Sequence, residues 1–203
     1  MKTNLIEEAE KVFHSIERWT AFYEIQMQVG TIMDHWLTKG AKALRQDFAD
    51  RPSPLWKCSY WGSPRDTRWY LDEPLGEQSI GIGIGWLDFE LHLFHGSRDQ
   101  QVREHALKVL ETPIFEPLRT LTGLPEYRAD RRKEGGSILS IRDFNPFDEV
   151  ADPILRQWII AWHAVNKTSV FVANVSQKIR QITENPAIVS LIRDLSQQCA
   201  KLP

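Results

Sequence analysis

Cysteine is scarce in this chain: only Cys58 and Cys199, far apart in sequence. Two lone thiols make neither a disulfide framework nor a metal-type pair, which points to a reducing compartment, the cytoplasm. Excess charge of one sign is also missing. Twenty-five basic residues nearly balance 27 acidic ones, leaving −2, so a surface that grips phosphate backbones everywhere is excluded, while a local basic patch stays open. Long hydrophobic runs are absent as well: no segment reaches the roughly 18 apolar residues of a membrane span. The opening MKTNLIEEAEKVF is acidic and amphipathic, unlike the apolar stretch of a signal peptide. A soluble, cytoplasmic protein is expected. No Gly-x-Ser-x-Gly elbow, P-loop, His-Glu-x-x-His or Cys-x-x-Cys occurs. Internal repeats, low-complexity tracts and linkers are lacking too, so residues 1–203 read as a single domain.

What is present is apolar periodicity, and it changes type along the chain. Asn4 followed by Glu7 starts a helix in the manner of a capping box. Leu5, Ala9, Val12, Phe13, Ile16, Trp19 and Tyr23 then recur at helical spacing. The pattern continues through Trp36 to about Phe48, with Gly30 and Gly40 as places to bend or break, and Arg51-Pro-Ser-Pro54 stops it. Strands are expected over Trp56–Trp61 and Thr67–Leu71, with a turn over Gly62–Asp66. Helices follow from Ser97 to about Glu111 and from Thr112 to Gly123. A hairpin, Tyr127–Glu134 and Ser137–Asp143, turns on Gly135-Gly136. Asp152-Pro153 starts a helix running to about Glu184, and Asn185-Pro186 separates it from a last one. The fold class is α+β: a central antiparallel β-meander or hairpin sheet packed by long N-terminal and C-terminal amphipathic helices.

The densest pattern is Ser79–His95, SIGIGIGWLDFELHLFH. Ile80, Ile82 and Ile84 alternate with glycines; then Leu87, Phe89, Leu91 and Leu93 alternate with Asp88, Glu90 and His92. Period two means strand, and the switch from even to odd demands a bulge or a turn near Gly85–Trp86. Asp88, Glu90 and His92 fall on one face about 6.5 Å apart, a spacing that suits a divalent metal or a base and its partner. The plainer reading makes them the solvent face of a half-buried strand. The glycine stripe has the wrong spacing for a dinucleotide fingerprint; it leaves room for close approach, most simply by a helix or a tryptophan.

Eight tryptophans are present. Helical spacing assigns Trp19, Trp158 and Trp162 to packing, whereas Trp61, beside the Gly62–Asp66 turn, is the candidate for an exposed interaction residue. Arg128, Arg131, Arg132 and Lys133 form the strongest basic run, on a hairpin arm that suits a nucleic-acid groove. Interleaved Glu126, Asp130 and Glu134 dilute it, and a charged sheet edge that discourages strand pairing is the simpler reading.

An αβββα order, with an acidic residue on one strand and Glu-x-(basic) on the next, resembles the core of PD-(D/E)XK nucleases. The resemblance implies Asp72 as first carboxylate, Glu90-Leu91-His92 as second motif, and Mg²⁺ or Mn²⁺ as cofactor; without it no cofactor is expected. Histidine stands where that family has lysine, and no Pro-Asp precedes. More broadly, residues from about Phe13 to Val175 resemble, in element order and aromatic strand texture, the non-catalytic α+β module beside such nuclease domains in some bacterial proteins. That resemblance implies a bacterial or phage accessory domain, host–phage conflict as its setting, and no activity of its own. The leading expectation is a non-enzymatic module that binds another protein or a second copy of itself. A divergent metal-dependent nuclease and a nucleic-acid binder using the basic hairpin are the alternatives.

Overall fold

The computed structural model describes residues 2–61, 63–85, 90–94, 100–121, 137–141 and 153–201. By contact the chain divides into two compact units, Met1–His35 and Trp36–Pro203.

The first unit is helical. Helix α1 (Lys2–Val12) and helix α2 (Ile16–Met27) are separated at Phe13–Ser15, where Ser15 adopts an extended N-cap conformation and its side chain accepts from the Arg18 amide. Helix α3 (Val29–Asp50) follows after Gln28. The continuous periodicity from Asn4 to Phe48 is thus three helices, and neither break falls on a glycine. Gly30 and Gly40 both lie inside α3.

In the second unit Gly40 has a packing reason. A Cβ there would stand 2.8 Å from the Ala164 Cβ and 3.0 Å from the Phe171 ring, so the missing side chain lets α3 approach helix α6 (Pro153–Asn166) and helix α7 (Thr168–Thr183). The expected helix from Pro153 to Glu184 is these two helices. They part at Lys167, beside Thr168, whose hydroxyl donates back to the Ala164 carbonyl at 2.9 Å. Helix α8 (Pro186–Ala200) starts where Asn185-Pro186 predicts: the Asn185 side chain accepts from the amides of Ala187 and Ile188, and proline occupies the first turn. Helix α4 (Gln100–Leu110) and the short α5 (Glu116–Thr120) complete the set.

The sheet has five antiparallel strands in sequential order: β1 (Trp56–Trp61), β2 (Ser63–Leu71), β3 (Gly81–Gly85), β4 (Glu90–Phe94) and β5 (Ser137–Ile141). Strand β2 starts four residues earlier than its sequence suggests. The Arg45 guanidinium reaches from α3 to the Pro64 and Asp66 carbonyls, at 2.9 and 3.0 Å, and holds the expected turn residues in the strand. The parity switch is resolved as two antiparallel strands. Ile82 pairs with Leu93 and Ile84 with Leu91, so even positions pair with odd ones, and Ile82 and Leu93 are both buried. Of the expected hairpin at Gly135-Gly136, the second arm is β5, paired with β4; the first arm lies outside the described residues.

Trp69, Ile82, Leu93 and Leu139 form one register row across four strands, all at most 2% exposed. This is the core face. The Trp56 indole on it donates to the Thr183 carbonyl of α7 at 3.2 Å, and Ile80 N–H donates to the Ser196 hydroxyl of α8 at 3.0 Å. The fold is α+β, with helices packed around an antiparallel sheet. No described helix is long and apolar enough to cross a membrane.

Candidate functional site

Of the sequence-predicted metal row, Glu90 and His92 lie on β4, and the strand register decides which residues they meet. Arg68, Gly83, His92 and Ser140 are successive partners across β2 to β5, as are Tyr70, Gly81 and Phe94 across β2 to β4. Glu90 pairs with Gly85, two rows beyond His92. Asp72 lies two residues past Tyr70 in the other direction. Six rows therefore separate Asp72 from Glu90, about 20 Å along the sheet. A shared metal needs carboxylate oxygens within about 2.6 Å of one ion, so these two do not form the predicted pair. Asp72 is instead an exposed residue at the end of β2, 3.6 Å from the Lys57 ammonium.

His92 is buried, so the reading of a fully solvated strand face fails at this position. Asp88 lies outside the described residues. Among the described residues no group of three His, Cys, Asp or Glu side chains is placed to hold a metal ion. Arg128, Arg131, Arg132 and Lys133 also lie outside them, as does the Trp61 side chain; the Trp61 backbone ends β1 opposite Ser63.

Gly81, the first glycine of the stripe, has a local cause. A Cβ on Gly81 would stand 2.5 Å from the Trp69 carbonyl oxygen and 3.1 Å from the Tyr70 Cβ, so β2 itself occupies that space. Beside it Arg68 is buried with its guanidinium 4.8 Å from the Tyr70 ring centroid. Arg68 donates to the Ser79 carbonyl at 3.1 Å and to the Glu77 carbonyl. Burial pulls its pKa down, and burial followed by the nearby Glu77 carboxylate pushes the Tyr70 phenol up. The pair folds the segment between β2 and β3 onto the sheet; it is a structural clasp.

The two cysteines and one cleft are the other features to weigh among the described residues. Burial pushes the Cys58 thiol up to about 12, with Arg45 offsetting part of the shift, and pushes Cys199 up to about 11. Neither supplies a thiolate near neutral pH. A cleft of about 440 Å³ lies between the C-terminal turns of α3 and α7, with Leu44, Trp69 and Ile179 among its lining residues. On its wall Ser176 donates to the Asp47 carboxylate at 2.9 Å, and Arg51 pairs with the same carboxylate. No histidine is among the described residues that line this cleft.

The third feature is in the first unit. Helix α2 contains no buried residue, yet Ile16, Trp19, Tyr23 and Met27 recur at intervals of three, four and four and so share one helical face. They are 71%, 53%, 57% and 69% exposed. Periodicity assigned Trp19 to a core, and in the structure over half of its surface is open. It meets Phe13 edge-on at 5.5 Å, and Phe13 meets Phe22 at 4.7 Å, which ties the start of α2 to the end of α1. Trp162, likewise read as packing, is 42% exposed and carries the Lys167 ammonium over its ring. Trp158 meets Trp36 edge-on, as packing predicts. Sequence reasoning saw the α2 stripe but not that it is uncovered, because a stripe looks the same in either state.

No family model, curated protein or solved structure matches this chain. The class it defines is an α+β protein with a sequentially ordered antiparallel sheet. Among the described residues, α2 presents an exposed apolar face.

Proposed function

We propose that this protein is a non-enzymatic interaction module, a cytoplasmic accessory protein of a bacterial or phage system, that holds another protein through the open face of α2. The carrying observation is the stripe Ile16, Trp19, Tyr23 and Met27 on a helix that buries nothing of its own. Covering four large apolar side chains that are more than half exposed is worth on the order of 5 kcal/mol before the costs of association. Such a surface is the kind that marks a binding face. Trp and Tyr are also the residues that dominate interface energetics, since they bring area at little entropic cost. The element order that resembles the accessory module beside bacterial nuclease domains supports the same role and its setting in host–phage conflict.

The test is site-specific photocrosslinking in cells, with a photoreactive side chain at position 23 or at position 25. Ile25 is also exposed but points to the opposite side of α2. One discrete crosslinked protein is expected from position 23 and none from position 25. Equal labelling from both positions, or none from either, overturns the reading.

A further inference from the structure

The charges beside the α2 stripe narrow the partner. Glu17 and Glu24 are seven residues apart and so lie on one side of the helix, about 100° from Ile16 and Tyr23. Neither makes an ion pair with a described residue, although cations stand nearby: Lys11 pairs with Glu8, and Arg18 donates to the Val12 carbonyl. The opposite side of the stripe carries Arg18 and Phe22, and Phe22 packs against Phe13 and Trp19. The open flank is thus acidic, and the imbalance is local. The first 35 residues hold six acidic and three basic side chains, while the other 168 hold 21 and 22.

We infer that the partner of α2 is an amphipathic helix with an apolar stripe and a lysine- or arginine-rich flank. This rests on the interaction reading above. Helix geometry follows from the surface: a straight stripe along 12 residues, about 18 Å long, matches the stripe of another helix. A basic flank follows from the two carboxylates: Glu17 is hydrogen-bonded at the start of its own helix, and neither is paired with a cation among the described residues, so a partner that brings cations completes both. A second copy supplies at most Arg18, one cation for the two carboxylates. Docked antiparallel, it sets Glu17 and Glu24 against their own equivalents; docked parallel, it sets them against the flank of Phe22, where Arg18 is the one cation. An anionic bilayer also repels this flank.

The experiment titrates the full chain with two synthetic helical peptides of the same leucine stripe, one flanked by lysines and one by glutamates. Tyr23→Asp and Glu17→Gln/Glu24→Gln variants are titrated in parallel, with sedimentation of the free chain. The lysine-flanked peptide is expected to bind about fivefold more tightly, the yield of two exposed ion pairs. The double Gln variant is expected to remove that preference and retain binding, and Tyr23→Asp to abolish binding of both peptides. Equal affinity for the two peptides, or a dimer that Tyr23→Asp dissociates, overturns the basic partner while leaving an interaction face in place. No binding of either peptide by a monomeric chain overturns both this inference and the reading beneath it.

Discussion

Helices α2 and α8 make an instructive pair. Each is short, each carries large apolar side chains at intervals of three and four, and each begins behind a capping side chain, Ser15 or Asn185. Their surroundings differ. Helix α8 buries Ile188, Val189, Ile192, Leu195 and Cys199, and it packs on α4, α5 and α7. Helix α2 buries nothing. An amphipathic pattern states that a helix has a face to cover; it does not state whether the cover comes from the same chain.

The comparison breaks first under truncation of a side chain in each helix. Ile192→Ala is expected to cost about 2–5 kcal/mol, since a fully buried isoleucine leaves a cavity. Ile16→Ala is expected to stay within about 0.5 kcal/mol. Urea unfolding of both variants checks this, and equal losses would mean that α2 is covered in solution.

A smaller and sharper contrast lies within α3. Gly40→Ala forces a Cβ against Ala164 and Phe171 and is expected to destabilise by about 1–3 kcal/mol. At Gly30 an added Cβ meets nothing within 4 Å, so Gly30→Ala is expected to stabilise by up to about 1 kcal/mol through helix propensity. Thermal unfolding reads the two signs directly. A gain at position 40 would contradict the close approach of α3 to α6 and α7.

The least effect is expected where the nuclease resemblance put a carboxylate. Asp72 and Lys57 are both largely exposed, so Asp72→Asn is expected to change stability by less than about 0.5 kcal/mol. With Asp72 and Glu90 six rows apart, calorimetric titration of Mn²⁺ is expected to give the same heats for the wild type and Glu90→Ala. A binding heat lost in Glu90→Ala would instead reveal a site built on β4 without Asp72.

Much of the second unit was legible because its signals are local. The strand over Trp56–Trp61 follows from its strand-favouring residues and the start of α8 from Asn185-Pro186, while the parity change in Ser79–His95 marked a bulge or a turn, which the structure resolves as the break between β3 and β4. The division of the N-terminal helical stretch was not legible. Its breaks fall at Phe13–Ser15 and Gln28, where no glycine or proline marks them, while the two glycines that suggested breaks sit inside α3. The early start of β2 was hidden for another reason: Arg45, some twenty residues upstream, holds its first carbonyls.

Alone, then, the sequence determined the α+β class, the positions of most strands, and the lack of charge or motif for the commonest chemistries. These rest on period, turn chemistry and composition, which act over a few neighbouring residues. Only the tertiary structure decided that Asp72 and Glu90 lie about 20 Å apart, that His92 is buried, and that the stripe on α8 is covered while the stripe on α2 is open. Register and burial depend on contacts between residues distant in the chain, and no local pattern encodes them.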